Sequence, residues 1–332
     1  MDRKAYQDYL QENGVDKELA GNYVKRLEEF QNFLESDKSN IDALPPGKIL
    51  KYTESLVEAD SEEVLEFLRA LIRYANFTKN YDYVIEIIDI AEAYNAMDNL
   101  YQRISEQHGE KARDDIFADI KIPPLGVDPE TKPPFTKIVM QRLEETLGED
   151  KTIELLAPCL HGRPLEGPKK DREDLLRLGD LDDFLALKHQ EFIERVQQHQ
   201  QDGTLEYAQY VDDDAVEYVK NTLSIAPGIR EGNKIISTKI PYQTMKYLKA
   251  DNDRMKRYYY CHCAWVRDAI KNGEEHEISP NFCHCSAGFT KMYWDVVFDQ
   301  PITVEPVETV LNGALHCKFA IQIPPEYQKF IK

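Results

Sequence analysis

Residues 121–135 carry five prolines in fifteen positions, and this run limits the possible folds more than any other part of the sequence. Proline has a fixed φ and no backbone N–H, so the run disfavours both a regular helix and a central strand. We expect an extended connection between two parts of the chain that are built differently. With 332 residues, the chain is long enough for one large domain or two ordinary ones.

Helical periodicity dominates the chain before this connection and returns after it. Apolar residues recur at helical spacing in five stretches, namely 17–35, 61–78, about 80–107, 136–156 and 180–201. The last two stretches flank a Gly/Pro loop that holds Cys159 and His161. The pattern therefore predicts a helical domain over 1–120, the connection over 121–135 and a further helical segment over 136–202.

From about residue 203 the pattern changes to runs rich in β-branched and aromatic residues. Four such runs predict strands, at 234–242, 257–265, 302–311 and 316–324. Residues 287–299 suit an amphipathic helix packed on a sheet, and Gly313 suits a hairpin turn. The predicted fold class is α+β, with an all-helical beginning and a mostly antiparallel sheet in the domain 203–332.

Charge and hydropathy exclude several classes of partner. The chain has 60 acidic and 41 basic residues, a formal charge of −19, so we expect no nucleic-acid partner for the whole molecule. No apolar stretch approaches the length of a signal peptide or a membrane span, so we expect a cytoplasmic protein with no membrane partner. Phosphate-binding glycine loops, dinucleotide fingerprints and the G-x-S-x-G and H-E-x-x-H motifs are absent from the sequence.

Five of the six cysteines lie near the C-terminal end, four of them in two Cys-His-Cys triplets. These five are the predicted metal ligands, namely Cys261, Cys263, Cys283, Cys285 and Cys317. In an extended backbone, the two sulfurs of a triplet point to one face and its histidine to the other. In a reducing compartment, clustered cysteines are more often metal ligands or reactive thiols than disulfides. Zinc, which takes about four N or S ligands, is the predicted metal.

Other interpretations of the cysteines stay open. An iron–sulfur cluster also needs thiolates, although the spacing matches none of the common runs. A nucleophilic or redox cysteine is a second alternative, and buried cysteines without chemistry are a third. Cys159 and His161 can reach the cluster as ligands or form an unrelated loop pair, and whether His262 and His284 contribute is equally open.

Aromatic residues surround the triplets and predict a pocket for a small organic molecule. Its candidate residues are Trp265, Arg267, Phe289 and Tyr293, with Arg267 and Lys239 as candidates for holding a carboxylate. Ordinary aromatic packing, with Arg267 in a surface salt bridge, is the alternative.

The C-terminal residues resemble known families. Gly288-Phe289, Trp294, the run 301–304, Glu308-Thr309, Gly313 and Cys317-Lys318-Phe319 resemble the C-terminal half of the 4-vinyl-reductase-type small-molecule-binding domain over 280–323. The same ending is similar to that of the L-2-amino-thiazoline-4-carboxylic acid hydrolase family. Across roughly the last 130 residues, the chain looks like a bacterial family of uncharacterised cytoplasmic proteins.

The first resemblance implies a zinc site. It assigns ligand roles to Cys283 or Cys285 and to Cys317, with Glu308 or Glu305 as the acidic ligand. Thr309 stands near the place of a further cysteine, so Cys261 and Cys263 are the candidates to supply that sulfur.

The expected function is a zinc-containing protein that binds or senses a small organic molecule. The alternative is a hydrolase of a small cyclic amide-like substrate that uses Cys285, Cys317 or a zinc-bound water.

Overall fold

A computed structural model describes residues 1–36, 38–57 and 61–331. The chain divides into two compact units. The first consists of Met1–Tyr94 and Pro123–Thr131, and the second of Asn95–Ile122 and Lys132–Lys332, of which Lys332 is not described. Residues 95–120, which the sequence placed with the helical beginning, thus belong to the second unit.

The first unit is all helical in its described part. Its helices are α1 Arg3–Glu12, α2 Lys17–Ser36, α3 Lys48–Val57, α4 Ser61–Thr78 and α5 Asp82–Ala91. Their apolar stripes form one core around residues such as Phe30, Phe67 and Leu71, as the helical periodicity predicted.

Part of the proline-rich segment packs on these helices. Leu125 is buried in the helical core, and the Thr53 hydroxyl donates to the Gly126 carbonyl at 2.8 Å. A Cβ on Gly126 would lie 2.9 Å from a methyl of Val64, and its φ of +100° also favours glycine. This part of the predicted connection therefore packs against the helices of the first unit.

The second unit begins with further helices. These are α6 Ala96–His108, α7 Glu110–Ile116, α8 Lys132–Leu147, α9 Glu149–Leu156, α10 Glu166–Leu178, α11 Leu181–Asp202 and α12 Asp213–Asn221. Helix α8 corrects the prediction that 121–135 excludes helix. It includes Pro133 and Pro134 in its first turn, where the missing N–H groups would have no intrahelical partner in any case.

The remaining elements complete the α+β architecture. They are β1 Ile229–Glu231, β2 Lys234–Thr238, α13 Thr244–Lys249, α14 Asp253–Tyr260, α15 Arg267–Asn272, α16 His284–Val297, β3 Val304–Glu308 and β4 Lys318–Gln322. The four strands form an antiparallel sheet in the order β1-β2-β4-β3, with Ile235 opposite Ile321 and Val304 also opposite Ile321. The predicted fold class, α+β with an antiparallel C-terminal sheet, is confirmed.

One face of this sheet carries the core of the C-terminal region. Ile235, Phe319 and Ile321 pack with Trp294 and Val297 of α16. This packing holds α16 against the sheet, so the residues at the beginning of α16 have fixed positions.

The strand predicted at 257–265 is wrong. Helix α14 occupies its first part, because the Asn252 side chain caps the helix by accepting from the Met255 N–H at 3.0 Å. The chain becomes extended only at Cys261. Aromatic content suggested a strand, but the capping residue lay upstream of the run.

Candidate metal centre

Three side chains from two distant parts of the chain converge in the second unit. The sulfurs of Cys159 and Cys285 and a ring nitrogen of His161 all lie within 4.8 Å of one another. The two sulfurs are 3.8 Å apart. Sulfur and imidazole nitrogen at this separation form a group that can hold a metal ion.

The loop after α9 presents Cys159. Pro158 follows the helix, and Cys159 adopts the left-handed conformation with φ +60°. Two side chains of α6 hold this loop, since Asn99 donates to the Leu160 carbonyl at 2.7 Å and Arg103 donates to the Cys159 carbonyl at 2.6 Å. The conformation that turns Cys159 inward is therefore fixed by hydrogen bonds to its neighbouring carbonyls.

Gly288 lets α16 approach the same loop. A Cβ at this position would lie 2.2 Å from the Ala157 carbonyl oxygen and 2.4 Å from the Cys159 nitrogen. Both atoms belong to backbone, which cannot move aside as a flexible side chain can. Only glycine permits this contact, and the contact brings Cys159 to the face of α16 that carries Cys285.

Cys285 lies in the first turn of α16. It precedes Gly288 by three residues, so both lie on the same face of the helix. The Leu160 backbone N–H donates to the Cys285 sulfur at 3.2 Å. Both cysteines are nearly covered, with Cys159 3% exposed and Cys285 7% exposed.

The pKa values of the two thiols are shifted in opposite directions. The hydrogen bond with Cys285, helped by the nearby His161 and opposed by burial, lowers the pKa of the Cys159 thiol to about 4. The hydrogen bond to Cys159, together with burial, raises the pKa of Cys285 well above its usual value. One thiolate and one thiol share a proton at neutral pH, an arrangement suited to a metal that replaces that proton.

The other four cysteines lie near one another without converging. Burial, then the nearby Cys317 and Cys261, raise the pKa of Cys283 well above its usual value. Burial and Cys317 raise the pKa of Cys261 to about 12. Within the described residues, the Cys159, His161 and Cys285 group is the one set of at least three potential ligands this close together. Of the five predicted ligands, Cys285 alone belongs to it.

The alternation argument for the triplets fails at the second one. His284 and Cys285 belong to helix α16 and Cys283 to the 3₁₀ turn before it, so the backbone there is not extended. In a helix, residues two apart point in roughly opposite directions. Cys285 accordingly meets Cys159, whereas Cys283 is hydrogen-bonded to the Thr309 side chain.

His262 and Glu308 have partners outside the candidate metal centre. A ring nitrogen of His262 lies 2.8 Å from the Ile240 carbonyl oxygen, and burial lowers its pKa to about 3. Burial also lowers the pKa of His284. Glu308, a candidate acidic ligand, pairs with His316 at 2.8 Å and Lys318 at 3.1 Å.

The predicted pocket residues occupy two different surroundings. Phe289 and Tyr293 follow Cys285 at intervals of four on α16, and the Arg163 guanidinium lies 4.6 Å and 5.3 Å from their ring centroids. Trp265 is buried against Phe135, with ring centroids 6.1 Å apart.

Arg267 is also buried, 4.5 Å from the centre of the Tyr242 ring. Phe289 thus lies beside the candidate metal centre, with its ring 5.3 Å from that of His161, and Tyr293 lies one helical turn further along α16. Trp265 and Arg267 are not members of that centre.

Comparison with known proteins provides no relative from which to transfer a function, since no family model, curated protein or solved structure matches the chain. Among the described residues, no helix combines the length and apolar composition needed to cross a membrane.

The sequence contained one signal for the observed centre. Cys159 and His161 form a Cys-x-His pair in a loop between helices, and their meeting with Cys285 depends on a contact between residues 126 positions apart.

Proposed function

We propose that this protein binds zinc through Cys159, His161 and Cys285. One observation carries the proposal: the three donor atoms lie within 4.8 Å of one another, although they come from a loop and a distant helix. Two sulfurs and one imidazole nitrogen form a donor set that zinc accepts and that magnesium or calcium, which prefer oxygen, does not.

Three protein ligands leave the fourth position of a tetrahedral zinc for water or a bound molecule. We therefore extend the proposal to binding or sensing of a small organic molecule at this centre. The resemblance of residues 280–323 to a small-molecule-binding domain, and the cytoplasmic location expected from the sequence, belong to the same proposal.

Metal analysis of the purified full chain tests the proposal. Mass spectrometry is expected to find about one zinc ion per wild-type chain, as for a single site. Cys159→Ser and Cys285→Ser should reduce that content to near zero, because each removes a thiolate ligand. Cys317→Ser and Cys261→Ser are matched controls and should retain it. Loss of zinc in the controls, with full retention in Cys159→Ser and Cys285→Ser, would refute the assignment.

A cysteine-dependent hydrolase acting on a small cyclic amide-like substrate is the second candidate. The observation in its favour is the proximity of Cys159 to His161, the geometry of a nucleophile beside a base. The burial of Cys159 argues against it, since a substrate must reach the sulfur.

Alkylation with iodoacetamide separates the two candidates. Rapid and selective modification of Cys159 in protein as purified would favour the nucleophile. A metal ligand predicts slow modification that accelerates once a chelator has removed the zinc.

A further inference from the structure

Two cations meet at one aromatic ring beside the candidate metal centre. The Arg163 guanidinium lies 4.6 Å and the Lys239 ammonium 5.7 Å from the centre of the Phe289 ring. The His161 ring contacts the same phenyl group, with centroids 5.3 Å apart. The Phe289 ring therefore contacts both cations and one member of the metal-binding group.

Neither cation forms an ion pair within 4 Å among the described residues. The Asp171 carboxylate acts on Arg163 only from a longer distance, and it pairs with Lys188 at 2.8 Å and accepts from the Tyr293 hydroxyl at 2.9 Å. The Arg163 guanidinium makes one hydrogen bond, from Nη1 to the Phe289 carbonyl at 3.2 Å, and its Nε is buried without a partner. Lys239 is half-buried between the rings of Phe289 and Phe319 and forms no ion pair there. In a chain with 60 acidic residues, two partly buried cations without a direct ion pair require an explanation.

A bound zinc ion would not supply the missing negative charge. Zinc with two thiolates and a neutral imidazole has no net charge, so it would give neither Arg163 nor Lys239 an ion-pair partner. An anionic molecule beside Phe289 would pair with both cations. The planar donors of arginine match a carboxylate, and the phenyl ring offers an apolar surface to the body of such a molecule.

We propose that Arg163 and Lys239 form the carboxylate-binding part of the site, and that the ligand is a small organic acid with an apolar body. The ligand then lies against Phe289, next to the zinc held by Cys159, His161 and Cys285. This assignment rests on the proposed function for the presence of the metal, whereas the two cations can be tested without it.

Calorimetric titration of the full chain tests the site with benzoate, acetate and inorganic phosphate at matched ionic strength. Benzoate is expected to bind most tightly, because it has both the carboxylate and an apolar ring. Arg163→Gln and Lys239→Gln should each weaken benzoate binding about tenfold or more, since each removes a charged donor. Arg163→Lys, which keeps the charge and loses the planar fork, should give an intermediate loss.

Lys318→Gln is the matched control. It also removes one positive charge from the sheet region, but its ammonium pairs with Glu308 at 3.1 Å. Benzoate binding should be unchanged in this variant. Circular dichroism checks that each variant folds, and Lys239→Gln decides the question if Arg163→Gln does not.

Metal content, measured on the same samples, separates the two proposals. Zinc-free wild type would refute the metal assignment, while selective loss of benzoate binding in Arg163→Gln and Lys239→Gln would still support the carboxylate site. The carboxylate site is overturned if benzoate does not bind, if it binds equally to these variants, or if phosphate binds more tightly than benzoate.

Discussion

The two groups of cysteines in the second unit differ in how they are assembled. Cys159 and Cys285 are far apart in sequence, yet their sulfurs lie 3.8 Å apart with His161 beside them. Cys261 and Cys263 are two residues apart, and the contact recorded between them joins the Cys261 sulfur to the Cys263 carbonyl at 3.9 Å. Density of cysteines in the sequence is thus a poor guide to where sulfurs converge.

The two groups also differ in the protonation of their thiols. Mutual hydrogen bonding makes Cys159 a thiolate and Cys285 a thiol, whereas burial raises the pKa of Cys261, Cys283 and Cys317 and keeps them neutral. A metal ligand must be deprotonated, so the first group is the better prepared for a metal.

The largest effect should follow from Gly288→Ala. The added Cβ would collide with the backbone of residues 157 and 159, so we expect a loss of about 3 kcal/mol in the free energy of unfolding, together with loss of zinc. Denaturant unfolding and metal analysis measure the two effects. Gly162→Ala is the control, because nothing lies within 4 Å of a Cβ there. Equal stability of the two variants would show that the close approach of loop and helix does not position the site.

Replacing one histidine near each group with phenylalanine, His161→Phe and His262→Phe, compares the zinc affinity of the two groups directly. Loss of a partner that merely orients a ligand costs about 10- to 100-fold in metal affinity, so His161→Phe, which removes a ligand, should cost about 100-fold or more. His262→Phe should leave zinc affinity unchanged and reduce stability by about 1 to 3 kcal/mol, because the Ile240 carbonyl loses its partner. Competition with a chromophoric chelator measures the affinity. Equal zinc affinities in the two variants would show that His161 is not a zinc ligand of the first group.

A smaller effect concerns the protonation of the first group in metal-free protein. Since the pKa of Cys159 is lowered to about 4, its thiolate should be present at neutral pH and be lost as the pH falls through that value. Thiolate absorbance in the ultraviolet follows the titration. The signal should disappear in Cys159→Ser and persist in Cys283→Ser, whose missing thiol is neutral at pH 7 in the wild type. If the thiolate signal at neutral pH were lost in Cys283→Ser instead, Cys283 and not Cys159 would be the thiolate.

Sequence periodicity predicted the fold class because it reports local burial. Helices over 17–35 and 61–78 agree closely with Lys17–Ser36 and Ser61–Thr78, and three of the four predicted strands are present. The strand predicted at 257–265 is wrong because the cap at Asn252, which starts a helix, lay outside the aromatic run. Gly148, with φ +83°, likewise divides the helix predicted over 136–156.

By itself, the sequence determined the α+β class, the acidic charge and the concentration of thiols near the C-terminal end, because each depends on composition or on short-range periodicity. The tertiary structure alone decided which sulfurs meet. That choice depends on the left-handed turn at Cys159, on the backbone contact allowed by Gly288 and on the helical geometry that separates Cys283 from Cys285. Contacts across more than a hundred residues follow from packing, which no local pattern records.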